Sequence, residues 1–507
     1  MKLLKYITLA FSLCLVIYSC KKDHSNVDMI HLPDFRVDTV GQQKVFETAQ
    51  SVGEVVIDPK VVYTGDAANL TYLWRIYSAS SSGDPNAAPT ATVVDTISKV
   101  KIFKAQITRN PGNYWAEIQV TDKSTGVKAL MRYTITVVAS RPYGWLVAYE
   151  TPEGGNTDVA LIRPKEIVNS VTEDVVMKNI YSAVNGGPLT GLPVRIVGAT
   201  MLVSEKGGAR LNSPDYKKIA DFPQMFVAGA PAPKPEGILE RGIGGNHLVN
   251  NGDVYWEYSG AWVGKVTIDS KGYKAAPFGV RMYAKTIAFF DELNKRFLYV
   301  DQQVSQGGTF GGTVMQAGAR FSLDNIQKTM VYANDGPDKT GNFTNQYAFF
   351  RDLDGSKTWF YGIDLSTPAR PDLCMIDLTL TAPNINAAQF FEIGTLGSMA
   401  IYATATDIYN FAYDKTANTT NAVKLGFTAP AGEVITAMNL FKADGNGYSG
   451  ATSKNNKILF VATWNAGTKN GKVYLLSVDQ VSGNITSAPL KVFEGFGKIK
   501  DMTLKPS

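Results

Sequence analysis

The residue with the clearest chemical context is Cys20. Lys2 and Lys5 precede an apolar run from Tyr6 to Tyr18, and Ile17-Tyr18-Ser19 stands directly before the cysteine. A branched apolar residue three places back and a small residue immediately before are the features of a lipoprotein processing site. Residues 1–19 therefore read as a signal peptide, and Cys20 as the acylated first residue of the mature chain. Cys14 competes poorly, because Leu13 before it is not small. The run falls short of the roughly 20 apolar residues that cross a bilayer. Each buried methylene of an acyl chain contributes about 0.8 kcal/mol, and several chains together hold durably. Membrane attachment through Cys20 is the expectation.

Other chemistry is sparse. After the leader the histidines are His24, His31 and His247, too far apart for a metal set, so no metal site is expected. Asp352-x-Asp354-Gly355 and Asp444-Gly445-Asn446-Gly447 have the look of calcium loops but lack the distal glutamate. They read as hairpin turns. No Gly-x-Ser-x-Gly elbow occurs, and His247 sits where a loop enters a strand. Asp291-Glu292, Asp352 with Asp354, and Glu257 are the acids available for glycoside hydrolysis, with nothing in their spacing to pair them. Gly242-x-Gly244-Gly245 and Gly307-Gly308 with Gly311-Gly312 lack the strand–turn–helix frame of a phosphate cradle and read as turns or loops. No catalytic residue and no cofactor is expected, and the chain reads as a non-enzyme.

Binding remains. Trp256, Tyr258, Trp262, Trp359, Tyr361, Trp464 and Tyr474 offer faces for sugars or peptide side chains. Most should be core. Trp262, between small residues in Ser-Gly-Ala-Trp-Val-Gly, is the one expected outside it, with Trp256 and Tyr258 as the accompanying binding candidates.

Composition narrows the setting. The chain has 507 residues and a net charge of +5 with no dense basic block, so two or more domains and no nucleic-acid partner are expected. Of three cysteines, Cys14 leaves with the leader and Cys20 is acylated, which leaves Cys374 unpaired in an apolar run and so a buried, inert thiol.

Short apolar runs, often alternating and broken by Gly, Asn, Asp and Ser, recur throughout, and helical periodicity is almost absent. The fold class is therefore all-β. Residues 20–32 form a lipidated tether. Residues 33–140 form a sandwich, ended by the Arg141-Pro142-Tyr143-Gly144 break. In it Trp74 points inward from Tyr72–Ile76, and Tyr114 stands two residues before Ala116, the tyrosine-corner spacing of immunoglobulin-type sandwiches. Residues 141–507 carry apolar-aromatic strands starting at Trp145, Met201, Val254, Phe297, Trp359, Tyr409 and Lys457, at intervals of 56, 53, 43, 62, 50 and 48. That period suggests a β-propeller-like domain of about seven blades, with two stacked sandwiches as the alternative. Hairpin turns are expected at Asn251-Gly252, Asp354-Gly355, Asn455-Asn456 and Asn470-Gly471. Phe493–Ile499 is the run expected to complete the first blade.

The Trp74 strand, the Gly112-x-Tyr114…Val120-x-Asp122 run and the lipobox cysteine together resemble the PKD-like family lipoproteins of Bacteroidetes. Trp74 is followed by Arg-Ile-Tyr-Ser-Ala-Ser, so the Trp-Asp-Phe-Gly-Asp-Gly string of ordinary PKD domains is missing. Lys21-Lys22-Asp23 resembles the Lys-then-acidic tag that sends such lipoproteins to the cell surface, although that tag usually carries two acids. The resemblance implies an outer-membrane, exterior-facing accessory subunit of a SusC/SusD-type TonB-dependent uptake complex. Its implied ligand is an oligopeptide first and a glycan second. A propeller-type glycan-degrading enzyme is the alternative.

Overall fold

The computed structural model describes residues 33–50, 54–79, 95–109, 111–138, 143–168, 171–198, 200–213, 215–239, 246–258, 260–283, 286–301, 306–340, 343–443 and 452–505. Cys20 with its leader, His24, His31, Arg141-Pro142, Gly242, Gly244, Gly245 and the Asp444–Gly447 run lie outside the described residues. The chain divides into two units between Val137 and Val138.

The first unit is a β-sandwich. Its five-stranded sheet places Leu70–Ser78 and Gly112–Asp122 at the centre, flanked by Lys128–Val138, Val45–Ala49 and Asp95–Ser98. Alternation aims Trp74, Ile76, Ala116, Ile118 and Val120 at one core, where Phe103 from a facing two-stranded sheet closes the other side. Trp74 is fully buried, packs on Phe103 and Tyr133 at 5.2 and 5.8 Å, and donates its indole N–H to the carbonyls of Val100 and Lys101. Trp74 and Tyr114 are core residues, as the alternation requires.

Among the described residues the second unit has seven antiparallel sheets, the blades of a β-propeller. Blade I is built from both ends of the unit: Gly144–Glu150 lies between Asn156–Arg163 and the C-terminal Ile499–Lys505. Blades II to VII follow in chain order, starting at Pro193, Pro235, Ala275, Lys328, Phe390 and Glu433. Their innermost strands are Pro193–Val197, Pro235–Leu239, Ala275–Tyr283, Lys328–Thr340, Phe390–Ile393 and Glu433–Leu440, and Ile499–Lys505 completes the set for blade I. Each innermost strand touches the next around the circle, and Ile499–Lys505 touches both Glu433–Leu440 and Pro193–Val197. The ring is closed.

Strands in this ring are buried on both faces, so they read as unbroken apolar runs. Successive side chains go to opposite neighbours. Trp145, Val147 and Tyr149 point toward blade VII, where Trp145 stacks on Phe460 at 3.9 Å. Leu146 and Ala148 point toward blade II and meet Ile196 and Leu202. The same division gives one apolar core for every pair of adjacent blades.

The sequence repeat finds one strand in each blade, but not the same strand. Trp145, Met201 and Lys457 mark second strands, whereas Val254, Phe297, Trp359 and Tyr409 mark third strands. That mixture explains the uneven intervals. Three expectations are corrected. Lys491–Phe496 is the outermost strand of blade VII, and the strand that completes blade I begins at Ile499. Asn470 and Gly471 already lie inside a strand, paired with Asn465 and Trp464, so the turn is residues 466–469. Asn251-Gly252 does form its hairpin, with both residues at positive φ (52° and 77°), as a two-residue loop needs. Gly307 and Gly308 are strand rather than loop. Gly308 pairs with Tyr299, and a Cβ there would fall 2.2 Å from the Tyr299 ring.

The closure has one tight point. A Cβ added at Gly497 would lie 1.7 Å from the Glu150 carbonyl oxygen, a backbone atom that cannot swing away. Gly497→Ala should therefore destabilise the protein by at least about 3 kcal/mol, the upper part of the overpacking range. Urea denaturation of the two forms measures it, and a loss under 1 kcal/mol would show that closure tolerates displacement.

Candidate functional site

Inner strands in a propeller face an axial channel on one edge, so any polar residue they carry is brought to one place. Here the innermost strand of six of the seven blades is out of register with its neighbour among the described residues. A bulge leaves a residue unpaired and re-aims it. Among the residues set out of pairing, Lys500 in blade I, Val194 in II, Glu236 in III, Pro277 and Phe278 in IV and Val331 in V all line the same cavity. Other unpaired residues, among them Ala276 in IV, Gly336, Pro337 and Asp338 in V and Thr436 in VII, are not on the cavity wall.

The cavity has a volume of about 600 Å³ and takes wall residues from all seven inner strands or their flanks. That is within the range for small-molecule sites, roughly 300–1,000 Å³. Gln389 and Lys500 are exposed and mark where it meets solvent. Its charged residues are Arg195, Lys442 and Lys500 against Glu236, Asp335, Glu392 and Asp501.

Most of these charges are spent inside the wall. Asp501, 6% exposed, bonds Arg195 at 3.1 Å and accepts the Ile196 backbone N–H at 2.8 Å, joining blade I to blade II. Lys442 bonds Glu392 at 2.7 Å, joining VII to VI. Tyr332 donates toward the same Glu392 oxygen at 3.4 Å and accepts from Asn334 at 2.9 Å. Asp335 accepts from Gln346 at 2.9 Å. Burial, reinforced by the Glu392 carboxylate, pushes the Tyr332 hydroxyl up to about 12. Burial works against the Lys442 ammonium, but Glu392, Tyr332 and Asp335 together hold its pKa above the ordinary lysine value. Lys442 therefore remains an ammonium at neutral pH, held against the Glu392 carboxylate.

The residues singled out in the sequence are not part of this cavity. Trp262 is 1% exposed and packs between blades II and III with Met225, Ile238 and Leu248, so the expectation that it lay outside the core is corrected. Its small neighbours serve close packing: the strand Ala261–Lys265 bridges to Phe226, and the two rings lie 6.5 Å apart. Trp256 is half-buried beside Tyr258, 62% exposed, with ring centroids 6.1 Å apart on the third strand of blade III. The candidate acids are structural. Glu257 holds Arg210 and the Asn246 backbone N–H, each at 2.8 Å. Asp291 accepts from Arg296 at 3.0 Å, and Arg296 also bonds Asp269 at 2.6 Å. Glu292 pairs with Lys274, Asp352 with Lys328, and Asp354 caps a turn at Ser356. His247 is buried in the second strand of blade III. Cys374 is fully buried, and burial pushes its thiol up to about 12. A usable signal for the channel exists in the short apolar strands that each carry a charge, Pro-Val-Arg-Ile-Val, Pro-Glu-Gly-Ile-Leu and Phe-Phe-Glu-Ile.

A model of the PKD-like family matches residues 10–193, which spans the sandwich and runs through blade I. No curated protein matches the sequence significantly. Among solved structures, a quinonprotein alcohol dehydrogenase-like protein from Bacteroides thetaiotaomicron is similar at a TM-score of 0.41 and 11% identity, over 94% of this chain and 99% of that one. The extracellular domain of a protein described as a one-component system from B. thetaiotaomicron gives 0.37 and 10%, over 77% and 56%. Hsv2 of Kluyveromyces lactis gives 0.37 and 9%, over 68% and 94%.

Removing Lys442 would leave Glu392, whose side chain is 6% exposed, without its cation. Lys442→Met should cost about 3 kcal/mol, the lower end for breaking a buried pair, because the lysine keeps 19% of its side-chain surface in water. Adding Glu392→Gln should recover part of that loss. Denaturant titration of the single and double variants checks it, and equal losses in both would show that the pair is not coupled.

Proposed function

We propose that this chain is a surface-exposed outer-membrane lipoprotein that binds a small nutrient in the propeller channel, as an accessory subunit of a SusC/SusD-type TonB-dependent uptake complex. The ligand is an oligopeptide in the first reading and a glycan in the second. Acyl chains on Cys20 hold the chain on the membrane, and residues 20–32 form its tether. The protein is not an enzyme in this reading and uses no cofactor.

One observation carries the proposal: the inner strands, six of the seven bulged, bring charged and aromatic residues from all seven blades onto one cavity of about 600 Å³. A scaffold whose wall is already ordered binds without a large ordering cost. Glu392 and Asp501 are neutralised by Lys442 and Arg195. Paired carboxylates of that kind suit a wall that orients a ligand better than they suit a proton donor. The resemblance to PKD-like lipoproteins supplies the uptake setting and the peptide preference.

Cys20→Ser should move the protein from the membrane fraction to the soluble fraction. The unaltered chain, solubilised gently from membranes, should co-purify with a TonB-dependent transporter, as identified by mass spectrometry. A Ser variant that stays in the membrane would overturn the anchoring. Purification of the native chain without any transporter would overturn the uptake role.

A further inference from the structure

The two residues that the bulges of blades I and III leave unpaired are both charged, and they are of opposite sign. Lys500 lies between the Ala148↔Asp501 and Tyr149↔Ile499 pairs, and Glu236 lies between Pro235↔Asn250 and Gly237↔Val249. The Lys500 side chain makes no hydrogen bond or ion pair among the described residues. Glu236 accepts the Gly252 backbone N–H at 2.7 Å through one oxygen and pairs with no cationic side chain among the described residues. Nearby Lys274 is engaged by Glu292 at 2.6 Å. The other cations of the wall, Arg195 and Lys442, are held by Asp501 and Glu392.

The internal pairs cancel, and Asp335 on blade V is buried and bonded to Gln346, so the charges left open to a ligand are the Lys500 ammonium on blade I and one Glu236 carboxylate oxygen on blade III. Glu236 is half-buried and so less screened than a surface charge, whereas Lys500 stands exposed at the mouth, where it can meet an entering anion. We propose that the cavity selects a zwitterion, a short peptide with free termini, whose carboxylate meets Lys500 and whose ammonium meets Glu236. A volume of about 600 Å³ admits a few residues and not an extended polymer. This inference rests on the channel being the ligand site.

The test uses the mature full chain and three soluble libraries: tetrapeptides with free termini, the same tetrapeptides N-acetylated and C-amidated, and neutral oligosaccharides of two to four sugars. Retention is read by mass spectrometry after gel filtration, for the native chain, for Lys500→Gln and Glu236→Gln, and for Gln389→Trp, which places a bulky ring at the mouth. Free-terminus peptides should be retained at least tenfold better than blocked ones. Each Gln variant should lose most of that preference, and Gln389→Trp should lose retention altogether. Lys500 and Gln389 are exposed, so their variants should fold, and circular dichroism confirms it. If free and blocked peptides are retained alike, or only sugars are retained and Gln389→Trp abolishes it, the zwitterion class is overturned while the channel stands. If nothing is retained, or Gln389→Trp retains as much as the native chain, the channel reading falls with it.

Discussion

A strand buried on both faces must find apolar partners on both sides. In a row of twisted blades that demand passes from each blade to the next, and it ends only when the last blade meets the first. Here the meeting is made by one strand. Ile499–Lys505 pairs with Gly144–Glu150 through Trp145↔Leu504 and Val147↔Met502, so the two ends of the second unit share one sheet. The apolar contact across that seam, Trp145 on Phe460, is a consequence of the pairing. Closure also fixes the radius at which the inner strands stand, and so whether a cavity exists between them.

That radius poses an electrostatic problem. Seven inner strands converge, and their polar groups crowd into a space that holds about 600 Å³. Desolvation would be costly if each charge stood alone. The chain meets the cost by pairing charges across neighbouring blades, Arg195 with Asp501 and Lys442 with Glu392. These pairs tie blade II to I and VI to VII while keeping polar atoms at the wall. The bulges then do something different. They release a few residues from the ladder and turn them inward, and two of those, Lys500 and Glu236, keep their charge uncommitted. Stability and recognition are thus divided between different residues of the same strands.

Much of the fold was legible in the sequence because strands buried between blades leave long apolar runs. One strand from each of the seven blades shows in that way, while in the sandwich alternation marks the Gly112–Asp122 strand and the inward Trp74. The closing strand was placed one strand early, because Phe493 and Phe496 carry more aromatic weight than Met502 and Leu504. The candidate site was not legible. Aromatic weight pointed to Trp262, which proved to be interblade packing, and to Trp256 and Tyr258, which lie on the third strand of blade III. Several of the channel's strands, such as Pro193–Val197 and Pro235–Leu239, are short and carry no aromatic residue. Their single charges acquire meaning only once ring closure sets them side by side, and the bulges that aim Lys500 and Glu236 depend on pairing partners far away in the chain.

The most direct measurement is a crystal structure of the mature chain soaked with a free-terminus tetrapeptide recovered from its own binding experiments. The account predicts density for that peptide inside the ring, with its carboxylate within hydrogen-bond distance of the Lys500 ammonium. A peptide seated instead on the outer edge of blade III, against Trp256 and Tyr258 with only water in the channel, would contradict it.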